Sequence, residues 1–328
     1  MRILVLGGTQ FLSKRIAEVA VGAGHDVICA ARGQHGDAPD GATFVRWDRA
    51  GAVPSELAAL HPDAVVDVTG TPIFAQQAVV QWPDARWVFI STLNVYADMS
   101  QPGGTVADTA LVEPIDDGDP SANPETYGAM KVACENAVLT GAASALVLRP
   151  GLIVGPGDSS GRFAYWPSHA AQAVLDGGDL LVPGEPGDPV QFIDVSDLAR
   201  WVVRVIEDGV SGCFDALGSS MTRADFVAGL LDGVGAGINL VSVPSHWLLD
   251  HGVKEWWGPG SIPLWVADAG EAAMMTRDVT ASLEAGLVIR PVAETVRDTL
   301  DWLQSVPNPV VTGLTRPEEL RLLAQFVS

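Results

Sequence analysis

Basic charge is scarce in this chain: 19 Lys and Arg stand against 40 Asp and Glu over 328 residues, a formal net charge of −21. A surface that acidic repels phosphate backbones and anionic headgroups, so neither nucleic acid nor a membrane is expected as a partner. Cysteine is scarcer still. Cys29, Cys134 and Cys213 are odd in number, widely spaced and set in apolar segments. They form neither a disulfide framework nor a zinc site, and a reducing cytoplasm is the expected compartment. No apolar run reaches the roughly 18 to 20 residues that span a bilayer. The N-terminal MRILVLGGTQ enters glycine too soon for the apolar core of a secretion signal. The six histidines lack the spacing of a helical metal site, so no metal is expected.

What the chain does have is apolar content, 48% of its residues, and length enough for a substantial core. Short β-rich runs at Arg2–Leu6, Asp26–Ala30, Thr43–Trp47, Ala64–Val68, Trp87–Ser91 and Ala145–Arg149 alternate with helical patterns such as Ser13–Gly22 and Tyr127–Leu139. The strands read as continuous Val, Ile and Leu runs, as parallel strands buried on both faces do. The expected fold is α/β: a Rossmann-type, doubly wound parallel sheet over residues 1–150. After Pro150, glycine and proline become frequent and tryptophans cluster between Trp247 and Trp265. Residues 151–328 read as a smaller, irregular substrate-binding region, with about 190–206 returning to the main sheet. Further helices are expected at Pro291–Leu303 and Arg316–Phe326.

The first strand runs into Gly7–Gly8–Thr9–Gln10–Phe11–Leu12–Ser13 and a helix. Such a turn lets a pyrophosphate approach backbone N–H groups and the positive end of the helix. The usual glycine spacing asks for Gly at 7, 10 and 13, and only Gly7 is present. The second strand ends without an acidic residue: Ala31 is followed by Arg32. A carboxylate there would accept from a ribose 2′-hydroxyl, whereas a guanidinium pairs with a 2′-phosphate. This favours NADP(H) over NAD(H). Asp48 closes the third strand, placed to accept from adenine, and Thr69–Gly70 closes the fourth beside the dinucleotide.

The strongest signal is Tyr127–Gly–Ala–Met–Lys131. Residues four apart share a helix face, and an ammonium beside a phenol would lower its pKa from about 10 toward general acid–base use. Upstream, Val88–Phe–Ile–Ser–Thr92 is a strand ending in hydroxyls, which sets Thr92 at the sheet's carboxyl edge. Asn94 follows two residues on. Arg162 and Trp166 are candidate pocket residues beyond the sixth strand, with Trp256 and Trp257 as weaker ones.

Together with Leu148–Arg–Pro–Gly–Leu–Ile–Val–Gly–Pro156 and Val190–Gln–Phe–Ile–Asp–Val–Ser–Asp–Leu–Ala199, these segments resemble the extended, in detail atypical, short-chain dehydrogenase/reductase superfamily. Within it the chain is similar to the NAD-dependent epimerase/dehydratase family, and around Thr295–Trp302 to actinobacterial reductases. The resemblance implies that Thr92 orients a substrate oxygen and Tyr127 exchanges its proton. Lys131 would bind the nicotinamide ribose and tune Tyr127. It also implies a cofactor site drawn from Gly7, Thr9, Gln10, Phe11, Leu12, Arg32, Asp48, Thr69, Gly70, Tyr127, Lys131 and Pro150, and a homodimer paired through helices beside Tyr127.

Two departures bear on the substrate. Where sugar-nucleotide epimerases carry an asparagine and an arginine on the diphosphate, this chain has Leu152 and Val190. The expected activity is therefore NAD(P)(H)-dependent hydride transfer, as a reductase, on a small non-nucleotide carbonyl or alcohol. A sugar epimerase with internal redox would share Tyr127 and Lys131. A catalytically silent dinucleotide- or RNA-binding regulator would explain the missing glycines but not the retained trio or the charge.

Overall fold

The computed structural model describes residues 1–327. Seven parallel strands form the main sheet: β1 (Arg2–Leu6), β2 (Asp26–Ala31), β3 (Thr43–Arg46), β4 (Ala64–Asp67), β5 (Arg86–Ile90), β6 (Ser144–Pro150) and β7 (Gly212–Ala216), in the order 3-2-1-4-5-6-7. The order reverses between β1 and β4, and that reversal opens a crevice at the strands' carboxyl ends. Strand alternation builds two cores. Ile3, Val5, Val27, Val66, Val88 and Leu148 pack against α1 (Phe11–Gly22) and α5 (Val195–Asp208). Their neighbours Leu4, Leu6, Val65, Trp87, Phe89 and Val147 pack against α2 (Pro72–Gln81) and α3 (Glu125–Gly141).

Beyond Pro150 a third core gathers α4 (Tyr165–Asp176), α6 (Arg223–Val234), α7 (Val292–Ser305) and α8 (Arg316–Phe326) around Phe163, Trp166, Phe226 and Trp265. The return to the main sheet expected over 190–206 takes another form. Pro189–Val190 pairs antiparallel with Met221–Thr222, and Ile193–Asp194 pairs with Ile153–Val154. Asp194 at once caps α5, its carboxylate accepting from Ser196 N–H at 2.7 Å, so the chain turns helical before a longer strand can form. The seventh strand arrives only at Gly212. No helix among the described residues is long and apolar enough to cross a membrane.

A buried polar network ties the sheet to the C-terminal half. Asp215 on β7 accepts from the Tyr96 hydroxyl (2.6 Å) and from Arg277 Nε (2.9 Å) and Nη2 (2.6 Å). Arg149 on β6 donates to Tyr96 and grips Glu135 of α3 through two hydrogen bonds. Arg277 also takes the side-chain oxygen of Gln191 on its backbone N–H, at 3.0 Å.

Arg223, the first residue of α6, is 1% exposed, and none of its guanidinium nitrogens has a hydrogen-bond partner. Burial lowers its pKa to about 10, opposed by the charge of Asp188, and the Trp166 ring 5.8 Å away offsets part of the desolvation. Replacing an ill-compensated buried charge with an apolar side chain of similar reach removes the desolvation penalty. Arg223→Met is expected to stabilise the fold by about 1–4 kcal/mol, read as a higher melting temperature and a later urea midpoint.

Candidate active site

The glycine turn after β1 closes without the two glycines missing from the usual spacing. Gly7 and Gly8 have φ of 133° and 87°, and a Cβ at Gly8 would collide with Cys29 of β2. The Ser13 hydroxyl occupies the third glycine's place, accepting from Gly8 N–H at 3.1 Å and donating to the Gln10 carbonyl at 2.9 Å. A side chain thus supplies the tie that close glycine packing supplies elsewhere, which the glycine pattern alone does not reveal.

Along the crevice lies first a cavity of about 590 Å³ lined by Gly7, Arg32, Asp48, Arg49 and Thr69. Arg49 forks onto buried Asp67 at 2.8 and 2.9 Å and lies against the Trp47 and Phe74 rings. Asp67 in turn accepts from Thr69 N–H at 2.9 Å. This pair, absent from the sequence reading, sets the cavity's floor and the turn after β4. At the rim, Arg46 reaches Gly33 beside Arg32. Arg32 and Arg46 have no acidic partner among the described residues.

The next cleft, about 320 Å³, is lined by Gln10, Leu12, Ser91, Thr92, Tyr127, Lys131, Pro150 and Gly151. Lys131, on α3, donates to the carbonyls of Thr69 (2.8 Å) and Ile90 (2.5 Å) at the ends of β4 and β5. It stands over the Phe89 ring at 4.3 Å. Burial lowers its pKa to about 8, against the opposing charges of Cys134, Asp67 and Glu135. The Ser91 hydroxyl is buried without a partner, a vacant donor–acceptor facing the cleft that the sequence reading passed over.

A third cavity, about 350 Å³, holds Thr92, Asn94, Tyr127, Leu152, Arg162, Gln191 and Trp256 among its walls. Thr92, Tyr127 and Gly151 border both this cavity and the cleft holding Lys131. The Thr92 hydroxyl caps the short turn Leu93–Val95 by accepting from Asn94 N–H at 3.3 Å. Gly128 brings α3 onto that turn, since a Cβ there would strike the Asn94 carbonyl. The glycine after Tyr127 therefore brings the Tyr and Thr hydroxyls to one junction.

The electrostatics of Tyr127 differ from expectation. Burial raises its pKa, and the Thr92 hydroxyl hydrogen bond opposes the rise. Tyr127 is accordingly a phenol, a proton donor, at neutral pH.

Of the other expected site residues, Gly70 lies beside the Tyr127 ring. Asp48 turns its carboxylate onto Ala50 N–H. Thr9 and Phe11 sit in the turn and line none of these three cavities, Phe11 with φ of 35°. Asn94 and Arg162 line the third cavity, and Trp166 does not. Trp166 is fully buried, donating to the Pro263 carbonyl at 2.9 Å, because a ring of that size is best placed among Tyr165 and Phe226. Trp256 does line the cavity, while Trp257 is 70% exposed. Val190 is buried in the third core, and its neighbour Gln191 takes the cavity face.

The chain shows the following likenesses to known proteins. Residues 74–213, which carry Thr92, Tyr127 and Lys131, match the NAD dependent epimerase/dehydratase family. The chain is 25% identical over 282 residues to dTDP-6-deoxy-L-talose 4-dehydrogenase (NAD(P)(+)) of Kitasatospora kifunensis, covering 74% of this chain and 82% of that protein. It is 27% identical over 266 residues to 2'-dehydrokanamycin reductase of Streptomyces kanamyceticus, covering 75% and 70%. In fold it is similar to the Bordetella bronchiseptica enzyme WbmH in complex with NAD+, with a TM-score of 0.59 and 18% identity over 92% of this chain and 98% of that one. Over residues 74–213 the chain is thus similar to the NAD dependent epimerase/dehydratase family, and the two curated relatives it matches are a dehydrogenase and a reductase.

Proposed function

We infer that this enzyme is an NADP(H)-dependent reductase of a small, non-nucleotide carbonyl compound, with Thr92, Tyr127 and Lys131 as its catalytic residues. The observation that carries the reading is the junction: the Thr92 and Tyr127 hydroxyls stand between the substrate cavity and the cleft that contains Lys131.

The crevice fits a dinucleotide. The N–H groups of the turn from Gly7 through Thr9, Gln10, Phe11 and Leu12 are available to a pyrophosphate at the start of α1. Arg32, with Arg46 beside it, is available to a 2′-phosphate, and Asp48 to adenine. Thr69, Gly70 and Pro150 flank the path, and the unpartnered Ser91 hydroxyl lies on it. A bound nicotinamide supplies the hydride. Thr92 donates to the carbonyl oxygen and holds it beside Tyr127. Tyr127, kept protonated by burial, gives its phenolic proton to that oxygen as the alcohol forms. Lys131 holds the ribose and supplies positive charge below the phenol. Leu152 and buried Val190 leave no diphosphate contact at the two positions where sugar-nucleotide enzymes place one.

Arg32→Ala is expected to weaken NADPH binding roughly ten- to hundredfold while changing NADH little, which is what losing one charge-assisted pair removes. Titration by NADPH fluorescence checks it. Equal weakening of both dinucleotides would remove the assignment to NADP. A pH profile tests Lys131. Its protonated fraction falls as pH rises through about 8, so kcat/KM is expected to decline on the alkaline side with that midpoint. In Lys131→Arg, whose side chain stays charged, whatever activity remains should lose that limb.

A further inference from the structure

Hydrogen-bonding supply in the substrate cavity is uneven. Its walls include Leu93, Met99, Leu152, Leu217, Met274 and Met275. At the catalytic end stand Thr92, Asn94 and Tyr127. Away from it are two polar side chains, and one of them is already used: Gln191 spends its amide donors on the carbonyls of Gly218 and Arg277, both at 2.9 Å, and its oxygen accepts from Arg277 N–H. The other is Arg162, the one charged residue of the lining. Its Nε donates to the Ser160 hydroxyl at 3.2 Å, and that hydroxyl donates to Asp158 at 2.8 Å. Its two terminal nitrogens have no protein acceptor among the described residues. The guanidinium also lies 5.8 Å from the Trp256 ring. These two residues border both this cavity and an outer one that holds Trp257 and Pro259.

Guanidinium groups present their terminal N–H bonds as a fork that suits a carboxylate in two-point contact. We propose that the substrate is a carboxylate-bearing carbonyl compound, an oxo acid with an apolar body, whose carboxylate is held by the terminal nitrogens of Arg162. The carboxylate takes no part in the redox step; it fixes which carbonyl meets Tyr127. A monoanion is the matching charge. The lining holds a single cation, already shared in part with the nearby Asp158 carboxylate, and in a chain with net charge −21 a phosphate or diphosphate would leave more negative charge uncompensated. The proposal rests on the reading of this cavity as the substrate site of an NADP(H) enzyme.

The test uses NADP+-loaded full-length protein and matched ligands on one apolar body: cyclohexanecarboxylate, its primary amide and cyclohexylmethyl phosphate, with binding followed calorimetrically. A second arm follows NADPH oxidation with 4-oxocyclohexanecarboxylate and its amide. The acid is expected to bind at least about tenfold more tightly than the amide, and more tightly than the phosphate. Arg162→Met should erase that preference and Arg162→Lys retain part of it, with NADPH affinity and melting temperature unchanged in both. Equal binding of acid and amide, binding of neither, tighter binding of the phosphate, or a preference that survives in Arg162→Met would each overturn the proposal. Failure of NADP(H) itself to bind would instead overturn the reading beneath it.

Discussion

Tyr127→Phe is expected to lower kcat/KM for carbonyl reduction by about 10²- to 10⁴-fold, the range spanned by a single positioned proton donor, with little change in NADPH affinity. The substitution deletes one hydroxyl at the border between the substrate cavity and the cofactor cleft and leaves the ring that lies against Gly70. The direction of the tyrosine's pKa shift makes the prediction specific. A phenol whose pKa burial raises is a weaker acid but stays protonated at neutral pH. That is the form that reduction needs and oxidation does not, so the reductive direction should dominate there. Oxidation of the corresponding alcohol should gain as pH increases. Measurement of both directions in wild type and variant, with NADPH binding as the control, checks it. A loss of less than tenfold in both directions would remove Tyr127 from the proton path.

Asp215→Ala is expected to destabilise the fold by about 3–5 kcal/mol, since it strips a buried cation of its counter-ion. Arg277 is 3% exposed and Asp215 2% exposed. Without the carboxylate, Arg277 keeps its contact to Thr109 at 2.8 Å but has no negative partner, and the Tyr96 hydroxyl loses its acceptor. Against a total stability of about 5–15 kcal/mol this is a large fraction. The urea midpoint should fall with the slope unchanged. The double variant Asp215→Ala, Arg277→Met should recover much of the loss, because it removes the uncompensated charge rather than the packing. If single and double variants are equally destabilised, the network's contribution is steric rather than electrostatic. Because Arg277 holds Gln191 at the cavity wall, the single variant should also raise KM for whatever substrate is used.

How much of this was legible beforehand depends on the range of the interaction. The six expected strands appear within a residue of their expected ends, because each is a run of apolar side chains buried on both faces. Arg316–Phe326 appears with its expected bounds, where Thr315 and Glu318 form a capping box. Tyr127 and Lys131 could be paired because helical spacing is local. The lysine's hydrogen-bond partners could not, since the Thr69 and Ile90 carbonyls lie at the ends of β4 and β5, far off in sequence. The two glycines missing from the turn were legible as an absence, but Ser13's replacement of one depends on a hydrogen bond to Gly8 that forms only in the closed turn.

The irregular half shows the same limit. Trp166 could be named as an aromatic beyond the sixth strand, but only packing decided between core and cavity. The alternation of Val190 and Gln191 turned one into the third core and the other toward the cavity. The sequence alone determined the parallel α/β fold, the order of chemistry-bearing residues along it and the sign of the surface charge, because periodicity, turn chemistry and composition act over a few residues. Tertiary structure alone decided the burial of Tyr127, the carbonyl partners of Lys131, the Asp215–Arg277 pair and the unshared nitrogens of Arg162. Each of these depends on desolvation or on a partner supplied by a distant segment, and no local pattern encodes either.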